Sequence, residues 1–523
     1  MEFTIHYHAN KDLPRLAWLA KVDPHTGRIS IIHGSSVECR DDWMVEGVWD
    51  ADFEQGKFHQ SENFFGSGIR VDGDRVYCVP SSATTDGLMY CEDEGNILVS
   101  NSLIMLLAAT GAALDENHDY RKESLSILEG IEKYGKEFTI RHPQIKCFYQ
   151  VFYENIVIYP TGIRFEQRSK PHTLTSFDQY YRLIQEILVQ IKDNYESPKR
   201  KIPISAFTTL STGYDSTAVS CLVRDIGVRK CFTGNRLELP IHMRVYTRLQ
   251  DDGTLIARCL GLEVLHLDSK RSSISEDELY FLAANYPKFT TKACSEIPFH
   301  SMASYIEKNC SAAVVFTGNV GDLVWDVNLE EEYRSGQIKR SGLSGNGLTE
   351  IRLKSGFISV GVPYILARNQ EDIMAIARSP ELDPWRLNTS YDRPIPRRIA
   401  ETSGVERRLF GIQKKFIGDA YLWPVNAHLR REFFKYLKAH HGINPVQVYT
   451  YFNIEQLAKL LQVLLKKDKA FKLKKFQYLV FSQEIDLYFL MNLWARKVLS
   501  DKMAAPLAQQ GLKISSADSG NQP

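Results

Sequence analysis

Residues 207–217 read FTTLSTGYDST, an apolar run that breaks through Ser211, Thr212 and Gly213 and at once enters a new apolar pattern. Upstream, IPISAFTTL has the near-continuous apolar character of a strand covered on both faces. Downstream, Ala218, Val219, Leu222, Val223 and Ile226 recur at helical spacing. The order is strand, short loop, helix. The first amides of such a helix have no intrahelical partner and point back at the loop, where the helix dipole makes them an anion site. Gly213 lets a phosphate approach the backbone closely, and Ser211, Ser216 and Thr217 add hydroxyl donors. Asp215 is the odd member. It is either a helix cap or a carboxylate that tolerates a neighbouring phosphate because a cation lies between them. The second reading implies a magnesium nucleotide and a second acid that shares the cation.

The same alternation extends outward. RKCFTG, LEVLHL and AAVVFTG read as compact strands, with helical stretches between them that include one from 277 to 309. This pattern predicts a parallel sheet covered by helices, with a ligand crevice at the carboxyl ends of the strands. FTTLSTGYDST and FTGNVGD (316–322) both occupy such ends. Before residue 170, segments such as RVYCVP, GLMYCED, NILVSNS and KCFYQVFYENIVIYPTGIRFEQ alternate between the turn signals DGD, EDEG and PTG, predicting an antiparallel, β-rich domain. The period turns helical at YYRLIQEILVQIKDNY, and from about residue 425 the chain is mainly helical. The expected organisation is a β-rich domain at 1–175, an α/β parallel-sheet domain at 176–425, a helical C-terminal part at 426–505 and a disordered tail at 506–523 ending in SSADSGNQP.

Composition narrows the functional classes. A chain of 523 residues, 44% hydrophobic and 24% charged, has room for two or three cores. Its formal charge of +1 gives no overall field toward nucleic acid or membrane, so any such contact must be local. The N-terminus MEFTIHYHANKDLPR lacks a signal-peptide pattern, and the apolar stretch FQYLVFSQEIDLYFLMNLW is interrupted by Glu484 and Asp486, so a cytoplasmic protein without membrane contact is expected. The nine cysteines are scattered without a CxxC pair and read as reduced thiols. His6, His8, His440 and His441 have no metal-ligand spacing.

The loop SxGxDS following a strand resembles the pyrophosphate-binding loop of the ATP pyrophosphatases, and LSTGYDSTA is similar to the LSGGLDSS of the asparagine synthetase family. Other segments agree in order. DDGTLIARCLGLEVLHLD (251–268) resembles that family's next helix and strand, FTGNVGDLVWD (316–326) its second phosphate loop, and RRLFGIQKKF (407–416) its late lysine segment. NFFGSGIRVDGDRVYCVPSSATTDGLMYCEDEGNILVSNS (63–102) is similar to the family's glutaminase domain. The resemblance spans roughly residues 1–425 and is strongest at 205–325.

It implies a glutaminase-like sandwich followed by an ATP-pyrophosphatase domain, and an ATP- and Mg2+-dependent ligase. Such an enzyme adenylates a carboxylate, releases pyrophosphate and passes the acyl group to an amine, forming an amide or lactam in biosynthesis. Leu210, Ser211, Thr212, Gly213, Tyr214, Asp215, Ser216, Thr217, Phe232, Gly318 and Asn319 would contact the nucleotide. Asp215 and Asp322 would hold the magnesium. Lys414, or failing it Lys415, would neutralise charge developing on phosphate and acyl oxygens, unless both are solvated surface lysines.

Three positions depart from that pattern. Glutamine-using relatives carry a cysteine directly after the initiator methionine, whereas this chain has Glu2 and its first cysteine is Cys39. Glutamine cleavage in the usual form is then absent, as in the β-lactam synthetases, and the acceptor must be a free amine or ammonia. Asn319 stands where asparagine synthetases have Glu and β-lactam synthetases Tyr, and an amide is no general base. Leu323 replaces the second acid of its loop.

Three other readings stay open. KKDKAFKLKK (466–475) is either a solvated helix face or a patch recruiting an anionic partner such as tRNA or a carrier, which would direct the same activation to a peptide or nucleic acid. Glu2, Asn319 and Leu323 together would also suit a catalytically silent nucleotide-binding scaffold. YDRPIPRRIAE (391–401), with Arg393, Arg397 and Arg398, is either a surface turn or a carboxylate or phosphate clamp. A homodimer is compatible with the composition.

Overall fold

Alternating apolar side chains in the first third of the chain need two facing layers to cover them, and that is what forms. The computed structural model describes residues 2–120, 126–168, 173–234, 251–267, 280–281, 283–284, 297–328, 348–412, 426–464, 480–481 and 486–510. The strands of this part are β1 (Thr4–Ala9), β2 (Trp18–Asp23), β3 (Arg28–His33), β4 (Glu38–Cys39), β5 (Trp43–Val48), β6 (Phe65–Asp72), β7 (Arg75–Val79), β8 (Leu88–Asp93), β9 (Asn96–Ser100), β10 (Glu137–Thr139), β11 (Cys147–Val151), β12 (Asn155–Tyr159) and β13 (Gly162–Glu166). They assort into a seven-stranded sheet, β1-β3-β2-β9-β8-β11-β10, and a six-stranded sheet, β13-β12-β7-β6-β5-β4. Every second residue of β2 (Trp18, Ala20, Val22) meets Ile69, Val76, Cys78 and Ile156 of the opposite sheet in one core. The antiparallel expectation fails at one edge: β1 pairs parallel with β3, because the chain passes β3 to reach β2 before returning in a hairpin.

The second part is built on β14 (Ile204–Leu210), β15 (Lys230–Gly234), β16 (Glu263–Leu267), β17 (Ala312–Thr317) and β18 (Phe357–Gly361). Their order is β16-β15-β14-β17-β18 and every pairing is parallel. The chain winds outward from β14 to β16, returns beside β14 as β17 and winds the other way. Helices Tyr214–Asp225, Thr254–Leu260 and Ile297–Asn309 follow the strands. The last of these covers part of the helical stretch expected at 277–309, most of whose remainder lies outside the described residues. Helix Phe177–Tyr195, capped by Ser176, buries Tyr180, Ile184, Ile187, Leu188 and Ile191. C-terminal helices occupy 427–441, 445–464 and 487–508. Pro506 lies inside the last helix, and its carbonyl accepts from Asn10 Nδ2, so the ordered chain continues past the expected start of the tail at 506. SSADSGNQP is outside the described residues.

A buried polar network joins the sandwich to the parallel unit. Arg352, 1% exposed on helix Thr349–Ser355, donates to both oxygens of Glu46 on β5 at 2.8 and 3.1 Å, and through Nε to Asp86 at 3.2 Å. Glu46 also accepts from Ser67 Oγ at 2.6 Å and Asn101 Nδ2 at 3.3 Å. Nearby, Glu350 accepts from Ser102 Oγ at 2.9 Å and from the amides of Leu103 and Ile104, at the N-terminus of helix Leu103–Thr110. Burial nonetheless pushes its carboxyl up to about 7 against the pull of Ser102 and Arg496.

Removing the cation of such a network strands two buried carboxylates. Arg352→Met is expected to cost about 3–5 kcal/mol, read from denaturant midpoints; an unchanged midpoint would refute the network's role. For Glu350 the native state holds its proton more tightly than the unfolded chain. Its contribution therefore weakens as pH rises from the ordinary value of 4.5 to about 7 and is constant above that. Glu350→Gln should flatten this slope in urea midpoints taken from pH 4.5 to 8; parallel profiles for the two proteins would contradict it.

Candidate functional site

The reversal of winding sets the site. Thr208 of β14 stands opposite Phe316 of β17, so Leu210 and Gly318 leave the sheet at the same level on neighbouring strands. The first loop is held from within. Ser211 Oγ and Ser216 Oγ are 2.7 Å apart, Ser211 N donates to Ser216 Oγ, and Gly213 N donates to Ser211 Oγ. Thr217 Oγ1 donates to the Gly213 carbonyl at 2.7 Å. Gly213 is the N-cap of helix Tyr214–Asp225 and offers it no side-chain cap, while Asp215 sits in the first turn.

The second loop lies directly on that turn. A Cβ at Gly318 would meet Asp215 Cβ and Ser216 N at 2.8 Å, and one at Gly321 would fall 2.4 Å from Asp215 Cγ. Between them Val320 has φ 71°, a left-handed conformation that costs a β-branched residue about 1–3 kcal/mol. It is held there by Leu323 N and Val324 N, which donate to its carbonyl. Thr317 Oγ1, at the start of the loop, is buried with its hydrogen-bonding capacity unspent.

Arg393 completes the cluster. It precedes helix Pro394–Thr402, is 1% exposed, and its Nη1 donates to Asp215 Oδ2. Its Nε is 3.6 Å from Asp326 Oδ2, and its guanidinium lies over the Tyr391 ring at 5.2 Å. Burial, the largest effect, opposes its charge; Asp215, Tyr391 and Asp322 outweigh burial and hold its pKa above the ordinary value. Asp215 bonds this guanidinium directly, and the charge of Asp322 also acts on it. Arg397 donates to the Tyr214 hydroxyl and, at 3.1 Å, to Glu401. Tyr214 is enclosed by Tyr391, Phe410 and Gly411, where a Cβ would come within 2.4 Å of its ring. Gly411 N donates to the Thr212 carbonyl. YDRPIPRRIAE is not a surface turn: Arg393 and Arg397 are buried, on an internal carboxylate and a tyrosine. Arg398 alone faces outward, on Asp178 and Glu381.

The remaining expected residues are placed as follows. Leu210 is buried against Gly253, and Phe232 is 2% exposed with its ring between Phe207 and Tyr305 in the core. Asn319 packs its Cβ near Gly361. Lys414, Lys415 and Lys466–Lys475 lie outside the described residues. Sequence reading missed Asp251, whose Oδ1 accepts from Thr212 N and Oγ1 at 2.8 Å. It also missed Asp326. Both lie in segments already set apart, DDGT and VWD, where an acid next to a turn is the available signal.

The donor set suits a phosphate-bearing ligand: an uncapped helix N-terminus, paired serines and a buried guanidinium. It also suits a cation. Asp215 and Asp322 would supply the carboxylates, and Arg393 stands in for the positive charge they require. Among the described residues no group of three or more His, Cys, Asp or Glu could hold a metal by itself, so phosphate oxygens would complete the shell. In the sandwich, burial pushes the Cys39 thiol up to about 12 and keeps it protonated despite His33 Nε2 at 3.5 Å. The eight described cysteines are free thiols. No helix among the described residues is long and apolar enough to cross a membrane.

Compared with known proteins, the chain matches no family model and no curated protein.

Gly321→Ala is expected to push the second loop off Asp215 and to lower stability by about 1–3 kcal/mol, measured by chemical denaturation. Indifference to the added methyl group would mean that the two loops do not pack as described.

Proposed function

We propose that the chain is an ATP-dependent carbon–nitrogen ligase of the asparagine synthetase and β-lactam synthetase type, working without glutaminase activity. The observation that carries this reading is the meeting of two glycine-containing loops over Asp215, at the reversal point of a parallel sheet. Doubly wound sheets bind nucleotides there. The order of the motifs along the sequence agrees.

In this reading the amides of the helix Tyr214–Asp225 and the hydroxyls of Ser211 and Ser216 receive the phosphates of ATP. Gly318 lets the second loop approach the leaving pyrophosphate. A substrate carboxylate oxygen attacks the α-phosphorus, the bond from that phosphorus to the bridging oxygen breaks, and pyrophosphate leaves. A neutral amine then attacks the acyl carbon of the adenylate, the bond from that carbon to the phosphate oxygen breaks, AMP departs as the anion, and the proton lost from nitrogen passes to water. Magnesium, when bound through Asp215, Asp322 and the phosphates, supplies charge neutralisation. Gly411, bonded to Thr212, brings the chain to the loop three residues before Lys414, the proposed partner of the developing charge. In this reading the amine arrives free rather than from glutamine.

ATP–pyrophosphate exchange, screened over candidate carboxylic acids, tests the proposal. Exchange above background is expected for at least one acid, and Asp215→Ala should reduce it by about 100-fold or more. ATP binding without exchange for any acid would favour the silent scaffold instead.

A further inference from the structure

Arg393 is buried beside several carboxylates. One guanidinium faces Asp215, Asp326 and Asp322, and among the described residues only its Nη1 makes a hydrogen bond. Nε is buried with no acceptor in hydrogen-bonding range. An arginine with its fork so little used, beside the first turn of a helix that faces an anion site, is placed for a second partner.

Its backbone, by contrast, is fixed. Val327 N donates to the Asp392 carbonyl, Asp392 Oδ2 accepts from Leu387 N and Asn388 N, and Arg397 N donates to the Arg393 carbonyl. Only side-chain torsions are available to move the charge. The Tyr391 face carries it without fixing it by hydrogen bonds.

We propose that Arg393 is a phosphate-positioning residue held in reserve on Asp215: it occupies the carboxylate until a triphosphate draws the guanidinium away, so that divalent cation and nucleotide bind only together. The inference rests on the nucleotide reading above. It has a direct physical consequence. A divalent ion alone must compete with a covalently tethered cation for Asp215. The nucleotide relieves that competition by giving the guanidinium a better acceptor, and by linkage each ligand then raises the affinity of the other.

The test uses the full chain, Mn2+ counted by electron paramagnetic resonance, and β,γ-imido-ATP. Wild type should bind Mn2+ alone at least about 100-fold more weakly than in the presence of the analogue, a coupling at the strong end of ordinary linkage. Arg393→Gln should tighten Mn2+ alone by about tenfold and weaken the Mn2+-loaded analogue by about tenfold. Arg393→Lys keeps the buried charge and guards against loss of fold; it should still block Mn2+ alone yet lose analogue affinity, because it lacks the fork. Equal Mn2+ affinity with and without analogue in wild type, or no change in either affinity in Arg393→Gln, overturns the proposal. A chain that binds no analogue under any condition overturns the nucleotide reading, and this inference with it.

Discussion

The pairing of β14 with β17 is the constraint from which the rest of the structure follows. These strands are neighbours in space but are separated in sequence by two complete strand–helix excursions. Their register, Thr208 opposite Phe316, brings two loops out of the sheet side by side. A slip of one residue would exchange the faces on which Phe207 and Phe316 pack and carry Gly318 away from Asp215. The loops can then touch only if the second has no side chains where it crosses the first, which is the reason for glycine at 318 and 321. The strained conformation of Val320 is a local cost of that crossing.

Two buried arginines show how the same group serves different ends. Arg352 bonds both oxygens of Glu46 and one of Asp86, and a fourth contact reaches the Phe357 carbonyl at 3.4 Å. Its fork is filled, and it ties the sandwich to the parallel unit. Arg393 meets a comparable set of carboxylates with one hydrogen bond. A filled fork resists displacement because every bond must be broken at once, whereas a nearly empty one can exchange partners at small cost. Stability belongs with the first, and the ligand response proposed above with the second.

Much of this architecture is legible in the sequence, and the illegible part has a physical pattern. Strand and helix periodicity places β14 and the helix after it, because both are local and strongly patterned. The antiparallel expectation fails at β1, whose parallel partner depends on where the chain returns rather than on its own residues. The loop residues Ser211, Gly213, Asp215 and Ser216 are readable because the chemistry of the proposed anion site would constrain consecutive positions. Arg393 is different. It is 178 residues from Asp215, and no local pattern says that a cation in a proline-bounded segment will fold back onto that carboxylate. Phe232 shows the opposite limit: its position at the end of a strand suggests the site, but the alternation of the strand turns its ring into the core between Phe207 and Tyr305.

The N-terminal sandwich reaches the second loop. Asn319 packs against Gly361 at the end of β18, and a Cβ at Gly361 would strike the Tyr364 ring at 2.7 Å. The Tyr364 hydroxyl in turn meets Thr84 Oγ1 of the sandwich at 3.2 Å. Two residues on, Asp86 binds Arg352 and Thr349, so the segment carrying Thr84 is anchored on both sides of the junction. The sandwich is thus bound to the parallel sheet by buried charge, and through Thr84 and Tyr364 its packing reaches the end of β18 on which Asn319 rests, the position at which the chain departs from its proposed relatives.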